Sequence, residues 1–83
     1  MAARPEITQQ VTRGVSRLFT ELNWSHVTEM PLRSGRRVDV MALDPSGGIV
    51  VVEVKSDMAD YLADRKWHEY LDFCDRFYFA VTP

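Results

Sequence analysis

An α/β fold is predicted for this chain, with a four-stranded mixed sheet flanked by two helices in the order αβββαβ. Two stretches carry apolar residues every three or four positions, which is the spacing of an amphipathic helix. Three segments rich in β-branched residues lie between them, and a fourth apolar segment follows. A helix between the last two strands is a crossover that makes them parallel, so the sheet should be mixed.

The first helix is predicted over residues 6–22. Pro5 suits its first turn, and Asn23 suits its end. Its apolar face is formed by Ile7, Val11, Val15, Leu18 and Leu22.

Three strands are predicted over residues 26–32, 36–43 and 49–56. An Arg-Ser-Gly turn separates the first two, and the run Asp-Pro-Ser-Gly-Gly at 44–48 separates the second from the third. These segments therefore form an antiparallel meander.

The second helix is predicted to follow Asp57, a favourable N-cap residue. Its apolar stripe is formed by Ala63, Trp67, Tyr70, Leu71 and Cys74. The fourth strand is predicted over residues 77–81. Four aromatic residues of the second helix and the fourth strand are expected in the core: Trp67, Tyr70, Phe77 and Phe79.

Length and composition exclude several classes of protein. The chain has 83 residues, of which 46% are hydrophobic and 27% charged, as in one small globular domain. No apolar run is long enough to cross a bilayer, and no signal peptide opens the sequence, so a cytoplasmic protein is expected. The net charge of −2 shows no broad basic field, so any nucleic-acid binding must be local. The apolar last strand needs cover, which a homodimer or a longer chain would supply.

Cysteine and histidine offer little chemistry. Cys74 is the only cysteine, and His26 and His68 are the only histidines, so neither an intrachain disulfide nor a four-ligand zinc cluster can form. We assign no chemistry to these three residues.

Ionisable residues meet at one end of the hairpin formed by the second and third strands. If residues 44–48 form the turn, Leu43 faces Ile49, and the same register sets Asp39 opposite Glu53. Alternation then predicts one face with the valines and alanine Val38, Val40, Ala42, Val50, Val52 and Val54. The other face ends in Arg37, Asp39, Glu53 and Lys55.

Two carboxylates facing each other repel, and a divalent cation such as Mg²⁺ would relieve that repulsion. Lys55 emerges on the same face as Glu53, where its ammonium could orient an attacking water or stabilise charge on a phosphate. The spacing alone equally allows an ordinary cross-strand salt-bridge lattice.

The order of these residues resembles the PD-(D/E)XK nuclease superfamily: Asp39, then a hairpin, then Glu53-Val54-Lys55, between two helices. Val38 replaces the proline of that motif. The strings GRRVDVMAL and VVVEVKSDMADYLADRKWHEYLDFCDRFYFAV are similar to MmcB-type DNA repair proteins, a branch of the superfamily.

This resemblance implies a restriction-endonuclease-like fold and a metal site for Mg²⁺ or Mn²⁺. Asp39 and Glu53 would be ligands, the Val54 carbonyl would complete the shell, and Lys55 would be the catalytic lysine. The resemblance also implies a role in DNA repair or damage-induced mutagenesis, with DNA and other repair proteins as partners.

Nucleases of this kind often use a further acidic ligand, and Glu21 and Glu29 are the candidates. Glu29 faces Asp39 if residues 33–35 form a three-residue loop, whereas Met30 faces it if residues 34–35 form a two-residue turn. For Glu21, a solvated helix surface is the simpler interpretation.

Basic residues near this end of the sheet are the candidates for DNA backbone contact: Arg33, Arg36, Arg37 and Lys66. A solvated turn is the alternative for the three arginines. Asp60 and Asp64 are expected to stabilise the start of the second helix.

Three functions are compatible with these residues. The leading hypothesis is a metal-dependent DNA phosphodiesterase. The alternative is a module of the same fold that binds DNA or a repair partner without cleaving it, and a third possibility is an assembly scaffold.

Overall fold

A computed structural model describes residues 4–81 and has the predicted element order, with the second helical segment divided in two. The elements are α1 (Arg4–Glu21), β1 (Ser25–Pro31), β2 (Arg37–Leu43), β3 (Ile49–Lys55), α2 (Met58–Ala63), a 3₁₀ helix (Trp67–Phe73) and β4 (Arg76–Val81). Observed and predicted ends of the strands and of α1 agree within two residues. None of the helices within residues 4–81 is both long and apolar enough to cross a membrane.

The four strands form one mixed sheet in the order β1-β2-β3-β4. The first two pairings are antiparallel, and β4 lies parallel to β3. Leu43 pairs with Ile49, which confirms the predicted register of the β2–β3 hairpin. Pro31 pairs with Arg37, so residues 33–35 form the three-residue loop, and this register sets Glu29 opposite Asp39.

The sheet has a core on each face. On the α1 side, Phe19 is buried against Val40, Ala42, Val50 and Val52. On the opposite side, Val38, Val51 and Tyr70 form a second cluster. Both faces of β3 are covered, which explains why its sequence is a run of valines rather than an alternating pattern.

The alternation predicted for β2 is wrong at Val38. This residue is fully buried beside Val51 and Tyr70, on the face opposite to Val40. The ladder between β2 and β3 ends at the pair Val40–Val52, and Glu29 on β1 has a positive φ of 55°. A backbone irregularity at this level therefore separates the face of Val38 from that of Val40.

The second helical segment is shorter and more broken than predicted. Asp57 is the N-cap as expected, and its side chain accepts a hydrogen bond from the Asp60 N–H at 2.8 Å. The α-helix ends at Ala63, because Asp64 is extended and its Oδ1 accepts hydrogen bonds from the N–H groups of Lys66 and Trp67 at 2.7 and 2.8 Å. A single helical stripe through residue 74 is therefore wrong.

Breaking this helix changes which aromatic residues are buried. Tyr70 is 7% exposed and belongs to the core, while Phe77 and Phe79 are half-buried. Trp67 is 41% exposed, so its predicted place in the core is wrong. It follows Asp64 and Lys66 at the start of the 3₁₀ helix instead of lying on an α-helical stripe.

Asn23 ends α1, as the sequence predicts. Its φ is 60°, in the left-handed region. The Trp24 N–H donates to the Phe19 carbonyl at 2.8 Å, and the Asn23 N–H donates to the Thr20 carbonyl at 3.0 Å. This pair of bonds is a Schellman motif, which favours glycine or asparagine at the position of Asn23.

We expect Asn23→Val to lower the free energy of unfolding by about 1–2 kcal/mol, because a β-branched side chain is strained at this φ. Asn23→Gly should leave the free energy unchanged or raise it slightly. Urea denaturation of the three proteins tests this. Equal stability of the valine and glycine variants would contradict it.

Candidate functional site

Asp39 and Glu53 lie together where β2 and β3 separate. The Asp39 N–H donates to Glu53 Oε1 at 3.1 Å, and the Val54 N–H donates to Asp39 Oδ2 at 2.8 Å. Each carboxylate thus accepts a backbone hydrogen bond across the two strands, beyond the last paired residues. The register places the two acids together, and their side chains replace the strand ladder at this point.

The electrostatics of this pair favour a bound cation. Glu53 is only 7% exposed, and Asp39 is half-buried. Burial, and then the charge of Asp39, raise the pKa of Glu53 to about 7. Among the contacts of residues 4–81, the second oxygen of each carboxylate makes no hydrogen bond. The pair therefore offers oxygen ligands and an unfavourable negative charge that a cation would neutralise.

Lys55 lies beside this pair but has a carboxylate of its own. Its Nζ is 2.5 Å from Asp64 Oδ2, and it lies 5.8 Å from the centre of the Phe79 ring. Burial raises the pKa of Asp64, but the hydrogen bonds from Lys55 and from two backbone N–H groups outweigh it, so the pKa is lowered overall. Asp64 was expected at the start of a helix, and the structure instead places it after α2 as an anchor for Lys55.

The salt-bridge lattice that the spacing also allowed is not formed. Lys55 pairs with Asp64 from another element, and Arg37 is exposed, with no ion pair among the contacts of residues 4–81. Asp39 and Glu53 therefore face each other without a basic side chain bonded to either.

The donor set fits a hard divalent cation. Mg²⁺ is commonly held by one or two carboxylates together with water and phosphate oxygens. Within residues 4–81, no group of three Asp, Glu, His or Cys side chains comes together as a metal site. The structure thus brings two of the predicted acidic ligands together. Glu29 is exposed and lines the same cleft as Asp39, whereas Glu21 lines neither cleft at this end of the sheet.

Two clefts lie next to the acidic pair, one lined by Asp39 and the other by Val54, while Glu53 lines neither. The first, which we call the α1 cleft, has a volume of about 550 Å³ and lies between α1 and β1, with Asp39 in its wall. The second, which we call the lysine cleft, has a volume of about 440 Å³ and contains Val54, Lys55 and Asp64. Thr8 lines both clefts, and the Asp39–Val54 hydrogen bond joins their walls.

The predicted DNA-contacting residues are dispersed. Lys66 lines the lysine cleft. Arg36 pairs with Glu69 at 2.9 Å, and Arg33 and Arg37 are exposed around the β1–β2 loop, so none of the three lines either cleft.

Three basic residues in the clefts were missed by the sequence analysis. Arg13 and Arg17 line the α1 cleft, and Arg65 lines the lysine cleft. The sequence does show a polar helix face that contains Arg13 and Arg17, since polar residues recur every four positions on the side of α1 opposite its predicted apolar stripe. No sequence signal pointed to Arg65.

The mixed sheet and its helices form an α/β fold that resembles that of a repair endonuclease. A family model described as "DNA repair protein MmcB-like" matches residues 2–83. The chain therefore belongs to the MmcB-like family of DNA repair proteins.

Two solved structures resemble this fold. One is a protein of unknown function from Silicibacter pomeroyi, with 48% identity and a TM-score of 0.79, which matches over 89% of this chain and 51% of its own. The other is a repair endonuclease from Pyrococcus abyssi, with 25% identity and a TM-score of 0.50, over 82% of this chain and 37% of its own. The chain thus spans about half the length of the Silicibacter protein. No curated protein matches it.

The raised pKa of Glu53 predicts how stability depends on pH without metal. The folded-state pKa of about 7 lies above the ordinary 4.5, so ionising Glu53 costs stability as pH rises through this range. We expect the free energy of unfolding in EDTA to fall between about pH 4.5 and 7, by up to about 3 kcal/mol. Glu53→Gln should remove most of this fall. Urea denaturation at several pH values measures it, and an identical pH dependence of both proteins would contradict the prediction.

Asp64 should stabilise the fold through Lys55. We expect Asp64→Asn to lower the free energy of unfolding by about 1–3 kcal/mol, because Lys55 is mostly buried and would lose its charged partner. The loss should be much smaller in a Lys55→Met background. An equal loss in both backgrounds, measured by urea denaturation, would show that the ion pair contributes nothing.

Proposed function

We propose that this chain is a metal-dependent DNA phosphodiesterase that acts in DNA repair or damage-induced mutagenesis. The observation that carries the proposal is the hydrogen-bonded pair of Asp39, half-buried in the wall of the α1 cleft, and the buried Glu53, with Lys55 beside them. Membership of a DNA repair family and the likeness to a repair endonuclease support it.

Asp39 and Glu53 would hold Mg²⁺ or Mn²⁺, with the Val54 carbonyl as a further candidate ligand. Glu29 lines the α1 cleft with Asp39 but would have to move to become a third carboxylate ligand. When bound, the cation would neutralise charge on the scissile phosphate and lower the pKa of a nearby water. The chain itself fixes the two carboxylates, because each accepts a backbone N–H across the strands. Little reorganisation is then needed at this site when substrate arrives.

Lys55 would supply a fixed positive charge beside the phosphate. Asp64 holds its ammonium at 2.5 Å, and Asp64 is in turn held by the N–H groups of Lys66 and Trp67. In this position Lys55 can orient the attacking water or stabilise charge that develops on the phosphate.

Basic residues would bind the DNA backbone around this centre. Lys66 borders the lysine cleft, while Arg33, Arg36 and Arg37 would contact phosphates further from the centre. Other repair proteins, and a second copy of the chain, are proposed partners, and the cytoplasm is the proposed location.

A non-cleaving DNA-binding module is the second candidate. The observation that favours it is the ion pair between Lys55 and Asp64, which neutralises the lysine charge beside the acidic pair. Under this function the basic residues are needed and the carboxylates are not.

Cleavage of labelled single-stranded, duplex and forked DNA with Mg²⁺ or Mn²⁺ tests the proposal. We expect Asp39→Asn and Lys55→Met each to lower the rate by about 10²-fold or more, because each removes a charge at the reacting phosphate. EDTA should abolish cleavage, and excess Mg²⁺ should restore it.

Asp72→Asn is the matched control, since it makes the same chemical change on an exposed residue outside both clefts. It should cleave like the wild type. Cleavage that survives Asp39→Asn would show a contaminating nuclease. Absence of cleavage by the folded chain, with DNA binding retained, would establish the non-cleaving module.

A further inference from the structure

The polar face of α1 is a continuous surface that the acidic pair and the lysine do not use. It lines the α1 cleft from Thr8 to Thr20, a distance of about 18 Å along the helix. Its members are Thr8, Gln9, Thr12, Arg13, Ser16, Arg17 and Thr20. They recur at steps of four in two rows, so they form one side of the helix, next to the side that carries Val15 and Phe19 into the core.

This face is positively charged. Arg13 and Arg17 are its charged members, one turn apart and both exposed. Among the contacts of residues 4–81, neither makes an ion pair or a side-chain hydrogen bond. Both guanidinium groups are therefore available to an anionic ligand, unlike that of Arg36, which Glu69 already holds.

The α1 cleft reaches Asp39 of the acidic pair. Asp39 forms part of its wall, and Thr8 belongs to the lysine cleft as well. Beyond the acidic pair, the lysine cleft carries Arg65 and Lys66. Cations thus lie on both sides of Asp39, along one groove made of the two clefts.

The chemistry of the groove indicates which part of a nucleic acid it would contact. None of the residues that line either cleft is aromatic, so the groove offers no ring on which an unpaired base could stack. Its hydroxyl, amide and guanidinium groups are those that bind phosphate and sugar oxygens.

We propose that the polar face of α1, with Arg13 and Arg17 as its charged contacts, binds the phosphodiester backbone of a DNA strand on one side of the acidic pair. This inference deepens the proposed function, because it assigns the path of the substrate strand. Bases would point away from the groove, so binding through α1 should not depend on base sequence.

The test measures binding of a short fluorescein-labelled duplex by fluorescence anisotropy in EDTA, where no cleavage occurs. We expect Arg13→Gln/Arg17→Gln to weaken binding by about tenfold or more at about 0.1 M salt. The slope of log K against log salt should fall by about 2, since each phosphate contact contributes about 0.9. AT-rich and GC-rich duplexes should show the same loss.

Arg76→Gln is the control, because it removes the same charge from an exposed arginine that lines neither cleft and lies at the opposite end of the β3–β4 ladder from Lys55. It should leave binding within about 1.5-fold of the wild type, whereas the single variants Arg13→Gln and Arg17→Gln should each weaken binding by about threefold. An equal loss in Arg76→Gln and in each single α1 variant would show a general charge effect and overturn the proposal, as would unchanged binding of the α1 double variant. Urea midpoints confirm that the variants are folded.

This readout is independent of catalysis. If the wild type binds DNA through Arg13 and Arg17 but never cleaves it, the proposed phosphodiesterase activity fails and the α1 surface stands. If it cleaves DNA while the α1 variant binds normally, the α1 surface fails alone.

Discussion

Two hydrogen bonds across β2 and β3 are the constraint on which the rest of the site depends: the Asp39 N–H donates to the Glu53 carboxylate, and the Val54 N–H donates to the Asp39 carboxylate. They form where the strand ladder ends, so two acidic side chains bond to the backbone N–H groups at the point where the strands separate. Asp39 lines the α1 cleft and its hydrogen-bond donor Val54 lines the lysine cleft, so this end of the two strands borders both clefts. Burial and mutual repulsion then make the pair costly unless a positive charge joins it.

Much of the fold follows from local signals in the sequence. The turn at residues 44–48 fixes the hairpin register, and with it the pairing of Asp39 with Glu53. The departures have physical reasons. Val38 changes face at the level where the β2–β3 ladder ends and Glu29 takes a positive φ, and strict alternation cannot anticipate either feature. Asp64 stops α2 because its carboxylate accepts backbone N–H groups and binds Lys55, a tertiary partner that no helical periodicity shows.

The site was predictable where it depended on strand register and was not where it depended on packing between distant elements. Asp39, Glu53 and Lys55 lie on two adjacent strands, so alternation and a turn length were enough to bring them together. The ion pair of Lys55 with Asp64 and the position of α1 beside Asp39 need the tertiary arrangement. Arg13 and Arg17 were not predicted as site residues, because the polar face of α1 can be assigned to the site only when its position beside Asp39 is known.

Glu53 occupies the central, most buried strand, where the surrounding positions are valines. An ionised carboxylate at this position destabilises the strand that holds it in place. Natural selection for foldability alone would replace it with an apolar or neutral residue, as happens when proteins drift without a functional requirement. Related proteins that no longer need the acidic pair should therefore lose Glu53 early. A glutamate at this position in a related protein would indicate that its site is still under selection.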